Sequence, residues 1–339
     1  MTFPLPDPRR RRLVQGTAVL FTGSLLAGCA ASGAAHAKTL DLQGHRGARG
    51  LAPENTLAAF ERALEIGVST LELDIGLSAD GVVVISHDPT LNPDITRDAQ
   101  GAWLPARGPA IRALTLAQLQ AYDVGRLNPA SKYGRQFASQ AARDGQRIPT
   151  LAALFDWVRS IAADDVRFNI ETKLDPTRPG DTAPPEAMVR ALLAEIDRAG
   201  MVGRCTVQSF DWRALALAGQ LAPRLPRAYL SSARTLQDSR WTAGLNAADF
   251  PSTPRLVQAA AGASAGPVIW SPAFATLTPA LLAEARTLGM AVIPWTVNQR
   301  ADMARLIDWG VDGIITDYPD MLRDLMRERR LKLPRALKT

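Results

Sequence analysis

The chain has little of the equipment that marks an enzyme at first sight. Among 339 residues there are two cysteines, three histidines and only 6 % aromatics. Two cysteines, Cys29 and Cys205, make neither a disulfide framework nor a thiolate metal site. Cys205 stands beside Thr206-Val207 and reads as a small buried hydrophobe. The apolar run from Leu13 to Ala27 is short of the ~20 residues that span a bilayer. The net charge of +6 misleads, because its basic residues crowd the ends. Residues 1–28 hold four Arg and one Asp, and residues 323–339 hold seven basic and two acidic residues, which leaves about −2 on the body. A nucleic-acid-binding protein carries its basic residues on a face of the fold, so nucleic acid is excluded as a partner.

The two ends have readings of their own. Arg9 to Arg12 followed by the apolar run form a secretory signal, and Leu26-Ala27-Gly28-Cys29 looks like a bacterial lipobox. The expectation is a signal peptide over 1–28, lipid on Cys29 and a flexible tether over 29–39. That makes an exported lipoprotein attached to the membrane and facing the periplasm. Ala30, rather than an aspartate, points to the outer membrane. Cleavage after Ala35-His36-Ala37, giving a soluble periplasmic protein, is the alternative. The 323–339 tail reads as a solvated, basic helix end. The oligomeric state is left open.

Between these ends, 40–322 repeats strand, loop and helix. Strands are expected at Leu40 to Gln43, in the first arm of a hairpin from Thr70, and at Val166 to Glu171, Cys205 to Gln208, Arg227 to Leu230, Val268 to Trp270, Ala291 to Trp295 and Gly313 to Thr316. The hairpin runs to Asp88 around Asp80-Gly81; a two-residue turn there sets Asp74 opposite His87, and a one-residue shift moves the partner to Glu72 or nearby. Glu72 and Asp74, two apart, project from one face and can share a cation. The first helix is expected to start at Asn55 as its N-cap, with Glu54 as an acid favoured by the helix dipole, both supporting the site from behind at most, and to stop at Gly67. Later helices stop at Gly200, Gly289 and Gly310. Eight strands separated by helices predict an α/β fold, a (β/α)₈ TIM barrel. His45, Glu72, Asp74, Glu171, Lys173, Gln208, Trp295 and Asp317 all fall at C-terminal strand ends, which in a barrel converge on one mouth. Residues 89–147 break the rhythm and read as an insertion that forms a lid, with a helix from Leu114 to Tyr122.

His45-Arg46-Gly47, Pro53-Glu54-Asn55-Thr56, Glu72-Leu73-Asp74, His87-Asp88, Glu171-Thr172-Lys173, Trp295-Thr296-Val297-Asn298 and Thr316-Asp317, in that order, resemble the glycerophosphodiester phosphodiesterase family, its periplasmic members in particular. The resemblance implies hydrolysis of glycerophosphodiesters, such as glycerophosphocholine or glycerophosphoethanolamine, to sn-glycerol 3-phosphate and an alcohol. It also implies one divalent cation, Ca²⁺ or Mg²⁺, on Glu72, Asp74 and Glu171, and allows attack by the glycerol 2-hydroxyl through a cyclic phosphate. An all-carboxylate ligand set suits a hard cation rather than zinc. Arg46 and Lys173 are then expected to hold phosphate oxygens, and Trp295 to cover the apolar edge of glycerol. His45 and His87 are the expected catalytic pair, His45 as base and His87 as acid. Gln208, Phe210 and Asp317 are expected to brace the pocket without a catalytic part. Two alternatives keep other outcomes in view: a phospholipase D-like or sphingomyelinase D-like enzyme acting on acylated lipids, and a lipoprotein that binds glycerophosphodiesters without turnover.

Overall fold

The computed structural model describes residues 39–337, so the leader, Cys29 and nearly all of the tether lie outside the described residues. The strands are β1 (Asp41–Gly44), β2 (Thr70–Leu77), β3 (Val83–Ile85), β4 (Arg167–Thr172), β5 (Cys205–Ser209), β6 (Arg227–Ser231), β7 (Val268–Pro272), β8 (Ala291–Val292) and β9 (Gly313–Thr316). Eight of them run parallel in the order β8-β7-β6-β5-β4-β2-β1-β9, while β3 pairs antiparallel on β2. Backbone bonds from Asp312 N to Val292 O, Ile315 N to Pro294 O and Val297 N to Ile315 O bring the two free edges together, each at 3.0 Å. The result is a nearly closed (β/α)₈ barrel, as expected.

Strand periodicity explains how the barrel sorts its residues. In β2, Leu71, Leu73 and Ile75 are fully buried among the helices, while Thr70, Glu72 and Asp74 alternate with them and face the interior. Leu42, Phe168, Ile170 and Val207 do the same for β1, β4 and β5. Helix Leu57–Ile66 buries Ala59, Phe60, Ala63 and Leu64 on that outer layer and ends at Gly67 in the left-handed region, φ 89°. The later stops also fall where expected: Gly310 caps Arg300–Trp309, and Gly200 and Gly289 follow their helices with positive φ.

Four local expectations are corrected. The hairpin turn has three residues, with Ser78 N bonded to Val82 O at 3.0 Å and only Gly81 at positive φ. The register therefore pairs Ile75 with Ile85, and Ser86 N donates to Asp74 O, so His87 is not opposite Asp74. A type I turn closed by a left-handed glycine adds one residue, and one residue shifts every partner. Thr56, not Asn55, caps the first helix, its Oγ1 accepting from Ala59 N at 3.2 Å. The lid helix is only Leu116–Leu119, preceded by a 3₁₀ turn at Ile111–Ala113. Beyond the helix the chain turns to bridge Asp123 with Arg97. The 331–337 segment does not project into solvent: Leu331, Leu333 and Leu337 pack on the core, and Leu337 N donates to Leu64 O at 2.9 Å.

The insertion has its own small core of Leu91, Ile111, Leu119, Val124 and Ile148, closed over Val84 of β3. Among the described residues no helix is long and apolar enough to cross a membrane.

Candidate active site

The register of the parallel strands assembles the site. Gly44 pairs with Thr316, so the next residues, His45 and Asp317, leave adjacent strands together. Asp74 pairs with Glu171 and Glu171 with Gln208, so three polar side chains stand side by side at the mouth. Glu72, Asp74 and Glu171 each offer a carboxylate oxygen within 4.8 Å of the others, and all three are buried. They form a cluster that can hold a metal ion.

Electrostatics shows what such a cluster lacks. Burial and the Asp74 charge push Glu72 well above the usual carboxylate range, and burial pushes Glu171 up to about 7 although Lys173 opposes it. Asp74 alone stays low: burial works against its charge, but Lys173, His87 and Arg46 outweigh it. Asp74 Oδ1 is buried and accepts no hydrogen bond, with Lys173 Nζ 3.6 Å away. Three buried carboxylates holding too few protons or counter-charges, with one lone pair unused, fit a hard cation.

Each carboxylate is also held from behind. Arg46 N donates to Glu72 Oε2 at 2.9 Å, and Gln208 Nε2 donates to Glu72 Oε1 at 2.6 Å. Gln208 Oε1 accepts from Asn169 Nδ2 at 3.0 Å, and the same amide donates to Gln43 Oε1 at 2.8 Å. Gln43 and Asn169 come from strands separated by β2, so this amide chain runs through the barrel interior, where aliphatic side chains are the rule. Its order leaves Gln208 only its NH₂ to offer Glu72. Asn55 Nδ2 donates to Asp74 Oδ2 at 3.0 Å, a role made possible by its left-handed backbone, φ 55°. Arg46 is left-handed too, φ 51°, and Nη1 pairs with Glu54 Oε1 at 2.5 Å while Nε stands 3.3 Å from Asp74. Glu54 and Asn55 thus serve the site rather than the helix start.

His45 Nδ1 donates to Asp317 Oδ1 at 2.6 Å; an ionised carboxylate can only accept, so the proton is on Nδ1 and Nε2 is the free base, 3.9 Å from Glu72 Oε2. Burial and Arg49 lower His45 to about 4 despite Asp317, which keeps Nε2 unprotonated at neutral pH. Asp317 is gripped by Arg49 through Nε and Nη2 at 2.8 and 2.7 Å and by Asn298 Nδ2 at 2.6 Å. His87, from the loop after β3, bonds Asp88 through Nδ1 at 3.0 Å. Burial, then Arg46 and Lys173, lower its pKa. Lys173 Nζ pairs with Glu171 at 2.7 Å.

A cavity of about 440 Å³ opens beside these groups, lined among others by His87, Lys173, Phe210, Trp241 and Trp295. Phe210 meets Trp295 edge-on with centroids 5.2 Å apart, and Trp295 Nε1 is tied to Ser271 O at 2.9 Å. Trp295 therefore presents a fixed face to the cavity. Sequence reading missed Arg49, Tyr133, Asn169 and Trp241, none of which carries a local signal. Asp317, expected to brace the pocket, does so through His45.

The fold and the site define a (β/α)₈-barrel enzyme whose acidic cluster is flanked by two histidines and two phosphate-compatible cations. The family model for the glycerophosphoryl diester phosphodiesterase family matches residues 45–321. A glycerophosphodiester phosphodiesterase of Caldanaerobacter subterraneus is 31 % identical over 284 residues, covering 84 % of this chain and 96 % of that protein. Among solved structures, a Silicibacter pomeroyi protein provisionally described as a glycerophosphoryl diester phosphodiesterase is 37 % identical with a TM-score of 0.78, over 88 % of this chain and 96 % of the other. An Oleispira antarctica phosphodiesterase in complex with the product sn-glycerol-3-phosphate shares the fold at 23 % identity and a TM-score of 0.59, over 85 % and 97 % of the two chains. The chain belongs to the glycerophosphodiester phosphodiesterase family and is an enzyme of that class.

Proposed function

We propose that this enzyme hydrolyses glycerophosphodiesters such as glycerophosphocholine to sn-glycerol 3-phosphate and an alcohol, by acid-base catalysis between His45 and His87. The observation that carries the reading is the His45 arrangement: Asp317 fixes the proton on Nδ1, and the free Nε2 faces the carboxylate cluster. Glu72, Asp74 and Glu171 would hold one Ca²⁺ or Mg²⁺, which supplies neutralisation of phosphate charge when bound. Arg46 and Lys173 hold the remaining phosphate oxygens. Nε2 of His45 removes the proton from the attacking hydroxyl as its oxygen bonds to phosphorus. The bond to the leaving oxygen breaks and His87 donates a proton to it; where the glycerol 2-hydroxyl is the attacker, water then opens the cyclic phosphate, its proton passing to His87 while His45 returns its own to the 2-oxygen. Burial, then Arg46 and Lys173, depress His87 in the free enzyme, and an anionic phosphodiester placed between the two cations offsets their part of it. Trp295 covers the apolar edge of the glycerol. Acylated lipids and binding without turnover are the outcomes that compete with this reading.

Export and lipid attachment at Cys29 are proposed with it, on the lipobox-like Leu26-Ala27-Gly28-Cys29.

The test is release of glycerol 3-phosphate from glycerophosphocholine by the chain starting near Ala37, with Ca²⁺, with Mg²⁺ and with chelator. Turnover that requires the cation and disappears in H45A supports the reading. Absence of turnover on every glycerophosphodiester by folded, cation-loaded protein rejects it.

A further inference from the structure

The loop that carries the catalytic residues is not held by the barrel alone. In the insertion, Ser131 Oγ accepts from Gly134 N at 2.8 Å and starts the single-turn helix Lys132–Gln136. Gly134 lies so close to Asn128 that a Cβ would sit 2.0 Å from the Asn128 carbonyl oxygen, so the turn is seated tightly. That seat aims Tyr133 inward, its ring edge-on to Phe137 with centroids 5.3 Å apart. The Tyr133 hydroxyl donates to Glu54 Oε2, and the other oxygen of Glu54 holds Arg46 Nη1 at 2.5 Å. The same hydroxyl accepts from Arg49 Nη1 at 3.3 Å, and Arg49 is the residue that grips Asp317 behind His45. Arg49 also stacks over Phe137, 4.9 Å from guanidinium carbon to ring centroid. Gln140 Nε2 donates to Arg49 O at 2.7 Å, and Ala141 N donates to Leu51 O at 3.0 Å.

A phenol has one proton to give and lone pairs to receive, so one Tyr133 hydroxyl can serve both partners at once. Burial and the Glu54 carboxylate keep that proton in place. Its two partners lead separately to the phosphate-holding Arg46 and to the base His45. Neither chain of contacts passes through the barrel's own strands before reaching the loop. The Gln140 and Ala141 bonds go to backbone carbonyls and Phe137 offers only a ring face, none of which sets a carboxylate's orientation.

We propose that Tyr133 is a positioning residue for phosphodiester cleavage: its hydroxyl orients Glu54 and Arg49, and through them Arg46 and the Asp317–His45 pair. The insertion then governs the geometry of the 45–54 loop. This rests on the function proposed above.

Y133F removes the hydroxyl and leaves the ring on Phe137. The expected result is a loss of about tenfold in kcat/KM, the scale of one hydrogen bond to a charged group, with Tm within about 2 °C of wild type. In an E54Q background, Y133F should cost clearly less than in the wild type, because the Glu54 branch is already altered and only the Arg49 branch remains to be lost. A packing role alone would give the same loss in both backgrounds, and that equality overturns the proposal, as does wild-type kcat/KM in Y133F. Hydrogen exchange of the free protein gives a readout that needs no substrate. Amides of the 45–55 stretch, including Arg46 N–H bonded to Glu72 and Asn55 N–H bonded to Arg46 O, should exchange about tenfold faster in Y133F. Unchanged exchange rejects the positioning role even if the wild type cleaves no glycerophosphodiester, a result that would reject the proposed function separately.

Discussion

Asp317 and His45 follow paired residues of adjacent strands, and the carboxylate lies 2.6 Å from the imidazole Nδ1. A carboxylate in that position does two things: it chooses the tautomer that leaves Nε2 basic, and it stabilises the imidazolium formed when Nε2 takes a proton. D317N keeps the size but presents an amide that can donate to Nδ1, which favours the opposite tautomer. We expect kcat to fall by about 10²- to 10⁴-fold with KM changed less, measured by steady-state kinetics on glycerophosphocholine.

The same pair bears on acid stability. Burial resists the Asp317 charge, yet His45 and Arg49 hold the group well below its ordinary value of 3.8. A depressed carboxylate contributes stability that is fully present above the unfolded value and is lost as pH falls through the folded one. The Tm advantage of wild type over D317N should therefore be flat from pH 5 to 8 and shrink below about pH 4. Thermal melts across that range check it; an advantage already lost at pH 6 would contradict the pairing.

Cation binding should be visible without turnover. If Glu72, Asp74 and Glu171 hold the ion, Ca²⁺ or Mg²⁺ raises Tm and a chelator reverses the rise. At 100 times Kd the linkage amounts to about 2.7 kcal/mol, which is several degrees for a domain of this size. E171Q and D74N should melt at nearly the same temperature with cation and with chelator.

How far the site was legible follows from how each residue is brought to it. Strand alternation and glycine stops are local signals, so the eight strands, the barrel and the convergence of His45, Glu72, Asp74 and Glu171 could be read directly. The hairpin register could not, because Asp80-Gly81 is compatible with a two- or a three-residue turn and the extra residue moves His87 off Asp74. Asn55 and Thr56 are both good caps. Only the left-handed turn at Asn55, which sends its amide to Asp74, decides between them. Tyr133 and Arg49 are separated by 84 residues and meet through the seating of the insertion, for which no spacing rule exists.

The loop itself predicts a contrast between two glycines. Gly47 and Gly81 both have positive φ, 83° and 78°, but a Cβ at Gly47 would lie 2.6 Å from the Ala59 carbonyl carbon, whereas nothing lies within 4 Å of one at Gly81. G81A should cost about 1 kcal/mol, the price of the backbone conformation alone. G47A adds a backbone clash against helix Leu57–Ile66 and should cost about 3 kcal/mol or more. Urea denaturation of the two variants separates them.

The assignment of base and acid can be tested through the leaving group. If His87 protonates the departing oxygen, its removal matters in proportion to how poor that oxygen is as a leaving group. H87A should lose about 10²- to 10⁴-fold on glycerophosphocholine, whose alcohol is strongly basic when it departs, and far less on a glycerophosphodiester bearing a p-nitrophenyl group, which leaves unaided. If His45 acts on the attacking oxygen, which is the same in both substrates, H45A should lose similar factors on each. Lys173 and Arg46 provide the control: weakening the hold on phosphate by K173M lowers both rates together, whatever departs. The reverse pattern, with H45A spared on the activated substrate and H87A uniformly impaired, would exchange the two roles. It would also make the Asp317–His45 pair the acid side of the site.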